Sequence, residues 1–219
     1  MKKKDSAGGE KNSNAINEEK LHSKKNARYL GAYLSASPYR LWRRRIPWLL
    51  FLMISATVSG AILTRFEAAL PSILLIFVPM LMDTGGNCGA QASVTVIRAL
   101  TLGEAGFSEL PVIVRKEATV GLLCGVTLGA VAFLKVIFID AALMKNPAVS
   151  ISVALCVAFS VALTAVASKL IGALLPLFAK RFGVDPAVAV SPFITTLVDA
   201  VALLLYLFVS VSLLGARAM

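Results

Sequence analysis

Residues 82–95 read MDTGGNCGAQASVT. An acid, two adjacent glycines, two amides and three hydroxyl residues stand together here inside a strongly apolar run that begins near Pro71 and lasts to about Leu100. Whether that run is a membrane-spanning helix with one wet side decides the fold.

The rest of the chain sets the medium. Its 219 residues are 58% hydrophobic and only 16% charged, with a mean hydropathy of +0.79. Several runs approach or exceed the ~20 apolar residues that cross a bilayer. The composition therefore predicts an all-α integral membrane protein. Five spans are expected, near 46–64, 71–100, 118–139, 148–179 and 186–214. The second, fourth and fifth are longer than a bilayer requires and are expected to tilt, break or extend past it. The second is expected to be interrupted at Gly85-Gly86, where paired glycines let a helix open. Cys88, Cys124 and Cys156 are odd in number and lie in apolar sequence, which fits small packing residues and neither a disulfide framework nor a zinc site.

Charge is unevenly placed. Residues 1–45 hold twelve of the 22 Lys and Arg and four of the 12 Asp and Glu, so the net charge of +10 sits mainly at the amino-terminal end. Residues 1–38 read as a basic cytoplasmic tail, disordered over about the first 25 because Lys, Asn, Ser and Glu bury too little surface to fold. Arg40 and Arg43 to Arg45, interleaved with Tyr39 and Trp42, form an interfacial anchor suited to anionic lipid headgroups. No nucleic-acid partner is expected. Residues 39–219 form the membrane domain. Lys and Arg concentrate in the tail, in 98–117 and in 180–185, whereas 65–70 and 140–147 carry one basic residue each, which places the amino terminus in the cytoplasm and the carboxyl terminus outside.

The polar residues follow helical spacing. Asp83, Asn87, Gln91 and Thr95 recur every four residues and so share one face of the second span. Ser191, Thr195 and Asp199 repeat the device in the fifth, with Thr196 alongside. A carboxylate at mid-bilayer costs several kcal/mol unless it faces water, a cation or a partner, and the two stripes suggest one shared aqueous path. Oxygen groups without His or thiolate suit a hard cation such as magnesium or calcium. A plainer reading is available for Gly85, Gly86, Gly89 and Ala90, which let helices pack closely, with Asn87 and Gln91 as interhelical hydrogen bonds. Lys135 and Lys169 are expected to snorkel outward and inward, and Glu104, Glu109 and Glu117 to pair with basic neighbours on the 98–117 loop.

RIPWLL (45–50), RFEAAL (65–70), PMLMDTGGNCGAQAS (79–93), RALTLGE (98–104) and PFITTLVDA (192–200) resemble, in order, the transmembrane domain of the MgtE-type magnesium transporter and channel family. The resemblance implies a five-helix protomer and a homodimer with a cation pore at its two-fold interface. It places the central magnesium ligand or water anchor on Asp199, the glycine-asparagine element on Gly85, Gly86 and Asn87, and pore-facing positions on Thr195 and Gln91. Two departures stand out. Family members usually begin with large cytosolic domains that sense magnesium, whereas a short basic tail precedes the first span here, and Asp83 stands where the family often has a small residue.

The expectation is thus a plasma-membrane, homodimeric magnesium channel or facilitated transporter, with Mg2+ as cargo, uptake driven by membrane potential, and no enzymatic activity. Asp83 is expected to add to the cation site. The alternatives are a broader divalent transporter or a cation-coupled exporter. An intramembrane aspartyl protease using Asp83 and Asp199 lacks the YD and GxGD signatures of that class, and a noncatalytic scaffold would use the stripes as packing glue.

Overall fold

Proline, not glycine, breaks the second span. The computed structural model describes residues 34–67, 71–184 and 186–215, with Arg44 and residues 187–192 described by backbone alone. A single helical turn, Ser72–Leu75, stops at Ile76 and Phe77, and the helix α2 then runs unbroken from Val78 to Leu102 through Gly85 and Gly86. Pro79 has no N–H to give, and its ring collides with the carbonyl four residues back, so the chain cannot stay helical through 75–77. The Leu74 carbonyl released there is satisfied twice, by the Phe77 N–H at 3.2 Å and by the buried Tyr206 hydroxyl at 2.8 Å. The expected interruption at Gly85-Gly86 is therefore corrected.

Of the two glycines, Gly85 serves packing. A side chain on Gly85 would meet Val198 Cγ1 at 2.8 Å and Thr164 Cγ2 at 2.9 Å, whereas one on Gly86 would meet open space. Gly86→Ala is expected to be neutral or to stabilise by up to about 1 kcal/mol through helix propensity, and Gly85→Ala to cost about 1–3 kcal/mol by overpacking. Thermal unfolding in detergent separates the two; equal losses would show that both glycines are needed for an opening of the helix.

Among the described residues, five helices are long and apolar enough to cross a membrane. Besides α2 they are α1 (Pro38–Glu67), α3 (Leu110–Lys135), α4 (Ile151–Arg181) and α5 (Pro186–Leu214). Two compact units are distinguished, residues 1–48 and 49–219. In the first, the described residues 34–48 hold the start of α1, with the exposed rings of Tyr39 and Trp42 5.6 Å apart; the tail expected to be disordered lies outside the described residues. In the second, α4 is the central element and packs on α2, α3 and α5, while α2 also packs on α5. From Leu49 onward α1 is exposed along most of its length.

Glycine explains the closeness of these contacts. Gly125 and Gly129 on α3 leave no room for a Cβ against the carbonyl oxygens of Ala162 and Ala158, at 2.7 and 2.9 Å. Without a hydrophobic drive inside lipid, such close backbone approach gains the dispersion contacts that hold helices together. The main apolar core gathers Leu74, Phe77, Leu81, Val136, Val157 and Tyr206.

The ends of the helices revise the 98–117 loop. Gly103, with φ +74°, caps α2 in the left-handed region. A short 3-10 turn at Phe107–Glu109 then leads straight into α3, whose early start at Leu110 is helped by Pro111 in its first turn. Arg115 and Lys116, expected in a loop, thus lie on a helix. Glu109 is not ion-paired but accepts from the Gly106 N–H at 2.7 Å. Among the described residues the ion pair that forms is Lys135 with Asp140, at 2.8 Å. Residues 136–143 form a π-helical stretch, whose i→i+5 bonding brings residue 140 back to residue 135. Lys135 also lies 5.3 Å from the centre of the Phe77 ring. It is therefore held by its own chain rather than snorkelling freely.

Candidate cation site

Asp199 stands in the middle of α5 and opens into a cavity of about 260 Å3. Ala56, Ser59, Gly60 and Leu63 of α1, Met82 of α2, and Thr196 and Leu203 of α5 complete its lining. The Thr196 hydroxyl is 3.4 Å from that of Ser55 on α1. Ser59 is 8% exposed, and its hydroxyl has no hydrogen-bond partner among the described residues. One carboxylate and two hydroxyl residues thus share a small space with apolar walls. Such groups can hold water, or a cation through its water shell; the unsatisfied Ser59 oxygen is a polar atom that this space would serve.

The face of α2 predicted from spacing is present. Asp83, Asn87, Gln91 and Thr95 are all exposed, while Gly85, Cys88, Gly89, Ala92 and Ser93 turn inward. Asp83, Asn87 and Gln91 line a groove of about 480 Å3 with Thr84, Thr127 and the wall of α3. Asn87 Nδ2 donates to Asp83 Oδ2 at 3.2 Å, as expected for side chains one turn apart on a continuous helix. Thr95 turns its hydroxyl back to the Gln91 carbonyl at 2.9 Å and does not line the groove.

The two stripes do not meet within one protomer. Asp83 and Asp199 line different cavities, and no hydrogen bond joins them. A shared-proton carboxylate dyad needs its two acids within hydrogen-bond reach, so this geometry gives the protease reading no support. Thr195 lies with Ser93, Ile97 and Arg98 in a third cleft, and Thr196 lines the Asp199 cavity. The side chain of Ser191 lies outside the described ones. Of the two glycines, Gly85 is buried at the meeting of α2, α4 and α5, and neither lends an opened backbone. Among the described residues no three His, Cys, Asp or Glu side chains converge.

Several residues of these sites escape a reading of the sequence. Ser55 and Ser59 look like ordinary small residues of a span until α5 is placed beside them. Ser160, Thr164 and Ser168 form a four-residue periodic row that is fully buried on α4, and that spacing is a signal the sequence does carry. Lys169, expected to snorkel, is only 5% exposed and donates to Gln91 Oε1 at 3.0 Å. Gly121 brings α3 close beside it: a Cβ there would lie 3.1 Å from the Val166 Cα, so its absence lets the two helices approach along the lysine stem.

Five membrane-length helices with a carboxylate and several hydroxyl and amide groups turned into internal clefts define an integral, multi-pass membrane protein with polar sites inside its span. The MgtE family profile, described as a divalent cation transporter, matches residues 78–209, and the chain belongs to that family. The magnesium transporter MgtE of Thermus thermophilus is 38% identical over 186 residues, covering 84% of this chain and 39% of that protein. Those of Bacillus subtilis and Enterococcus faecalis are 32% and 29% identical over 74% and 79% of this chain, and 35% and 37% of their own lengths. The chain thus spans less than two-fifths of the length of these relatives.

Proposed function

We propose that this protein carries magnesium across the plasma membrane as a channel or facilitated transporter, with Asp199 as the residue that attracts and anchors the ion. The observation that carries the reading is the Asp199 cavity. Six waters at about 30 Å3 each amount to about 180 Å3, which fits within its 260 Å3. Magnesium gives up its water reluctantly and prefers few protein ligands around a hydrated ion. A carboxylate with hydroxyls at Ser59 and Thr196 suits that preference better than it suits a closed protein cage.

One carboxylate per protomer leaves a divalent ion half neutralised. A homodimer with its pore on the two-fold axis supplies the second charge, and a symmetric pair is the commonest way to double a site. Membrane potential then suffices as the driving force, because two charges gain about 4.6 kcal/mol per 100 mV. The basic residues Arg40 and Arg43 to Arg45 anchor the first helix against anionic lipid on the cytoplasmic side. The relatives named as magnesium transporters favour magnesium as cargo.

The test is magnesium influx into proteoliposomes holding the purified protein under an imposed potential, with calcium and manganese as competitors. Influx that needs neither a proton nor a sodium gradient supports the reading; influx found only with such a gradient would turn it into an exchanger. In the same vesicles Asp83→Asn is expected to weaken magnesium competition about threefold to tenfold. It removes one charge from the α2 groove at an exposed position, where a near-aqueous dielectric of about 80 and the ion's own water shell limit the loss to about 1 kcal/mol. The side chain's remaining carbonyl oxygen can still accept from Asn87, so the fold is expected to stay intact. Unchanged competition curves would remove Asp83 from the cation path.

A further inference from the structure

The charge that the Asp199 reading leaves unused is Lys169. It lies within the 31-residue helix α4, 5% exposed, and its ammonium donates to one neutral oxygen, Gln91 Oε1, at 3.0 Å. Among the described residues no carboxylate comes within ion-pair distance of it. A buried ammonium held by a single amide oxygen is expensive, and ionisable side chains inside a span mark ion paths more often than they mark packing. Its stem runs past Gly121, where α3 and α4 come close enough that a Cβ would lie 3.1 Å from the Val166 Cα. The lysine is aimed at Gln91, which lines the same groove as Asp83 and Asn87.

We propose that Lys169 is a tethered cation: its ammonium, buried behind the Gln91 end of the Asp83–Asn87–Gln91 groove, holds the Gln91 oxygen and opposes divalent ions there. This rests on the reading that cations enter the groove. The acid-amide pair at one end attracts a cation, and the ammonium at the other repels it and already holds one of the oxygens it would use. Conduction requires sites weak enough to release the ion. Lys169 supplies that weakness, so that Asp83 recruits ions without trapping them.

The experiment reads Mn2+ binding to the purified full chain by electron paramagnetic resonance, in an Asp199→Ala background so that the other cavity is silent. Removing one unit charge from the buried position behind the groove is expected to tighten Mn2+ binding at least about tenfold in Lys169→Met. Lys169→Arg keeps the charge and is expected to keep the parental affinity. Adding Asp83→Asn to Lys169→Met is expected to cancel the gain. Should Lys169→Met not fold, Lys169→Gln is neutral, retains a donor for Gln91, and is expected to show the same tightening. Parental affinity in the neutral variants, equal tightening in Lys169→Arg, a gain that survives Asp83→Asn, or no saturable Mn2+ binding in any variant would each overturn the proposal. Influx is read with Asp199 intact and groove binding with Asp199 removed, so the transport reading and this one can fail separately.

Discussion

Asp199→Ala is expected to bring magnesium influx down to the background of empty vesicles, and Asp199→Asn to come close to it. The attraction between one carboxylate and a divalent ion about 4 Å away is about 8 kcal/mol at an effective dielectric of about 20, twice that of a monovalent pair. Losing as little as about 2.8 kcal/mol of it is a hundredfold change. Asn keeps the size of the side chain and one acceptor oxygen, so water can still be held while the charge is gone. Ala removes the oxygens as well and leaves Thr196 and Ser59 as the polar lining of the cavity. Both proteins are expected to insert and assemble normally, because Asp199 lies outside the clusters of buried apolar residues that make up the core. The measurement is influx at matched protein density, with assembly checked by size-exclusion chromatography. Wild-type influx from a correctly assembled Asp199→Ala protein would remove Asp199 from the ion path.

Gly172→Ala is expected to be the most damaging single-methyl change in the fold. A Cβ at that position would run into the carbonyl oxygen of Gly89 and lie 2.8 and 2.9 Å from its carbonyl carbon and Cα. The obstacle is backbone, so no rotamer change can relieve it and α4 must move off α2. Overpacking costs of about 1–3 kcal/mol are typical where side chains can yield, and about 3 kcal/mol or more is expected here. The displaced helix carries Lys169 and the buried Ser160, Thr164 and Ser168 row, so influx is expected to fall along with the unfolding temperature. An unchanged melting profile would show that α4 and α2 do not approach so closely in the working protein.

Much of this architecture is legible in the order of the residues. The five spans emerge from runs of apolar residues because a bilayer imposes a length and an apolar content on any helix that crosses it. The polar face Asp83–Asn87–Gln91–Thr95 emerges because four-residue spacing and a 3.6-residue turn place side chains on one side whatever the surroundings. The motifs around the glycine-asparagine element and Asp199 point to the right family, since family membership is a property of residue order.

Where the sequence misleads, two causes of similar strength compete. Glycine pairs and proline both break helices, and in 71–100 the break falls at Pro79, although Pro47 and Pro176 lie inside unbroken helices, so local packing decides which proline breaks its helix. The glycines keep their helical geometry because α4 and α5 pack against Gly85 and Gly89. Lys169 carries an equal ambiguity, since a lysine in a span can snorkel or bury. The partner that holds it, Gln91, lies 78 positions away on another helix.

The sequence by itself determined the medium, the number of spans, the wet face of α2, the family and the presence of an acid in the middle of the last span, all of which depend on local composition or spacing. The tertiary structure alone decided which polar groups meet. It put Thr196 and Ser59 beside Asp199, placed Thr195 in another cleft, kept Asp83 and Asp199 apart, and drew Lys169 to Gln91. The physical reason is that helix periodicity fixes where a side chain points on its own helix, whereas which helix it faces is set by interhelical packing through glycines such as Gly85, Gly121 and Gly172, whose partners are distant in the chain.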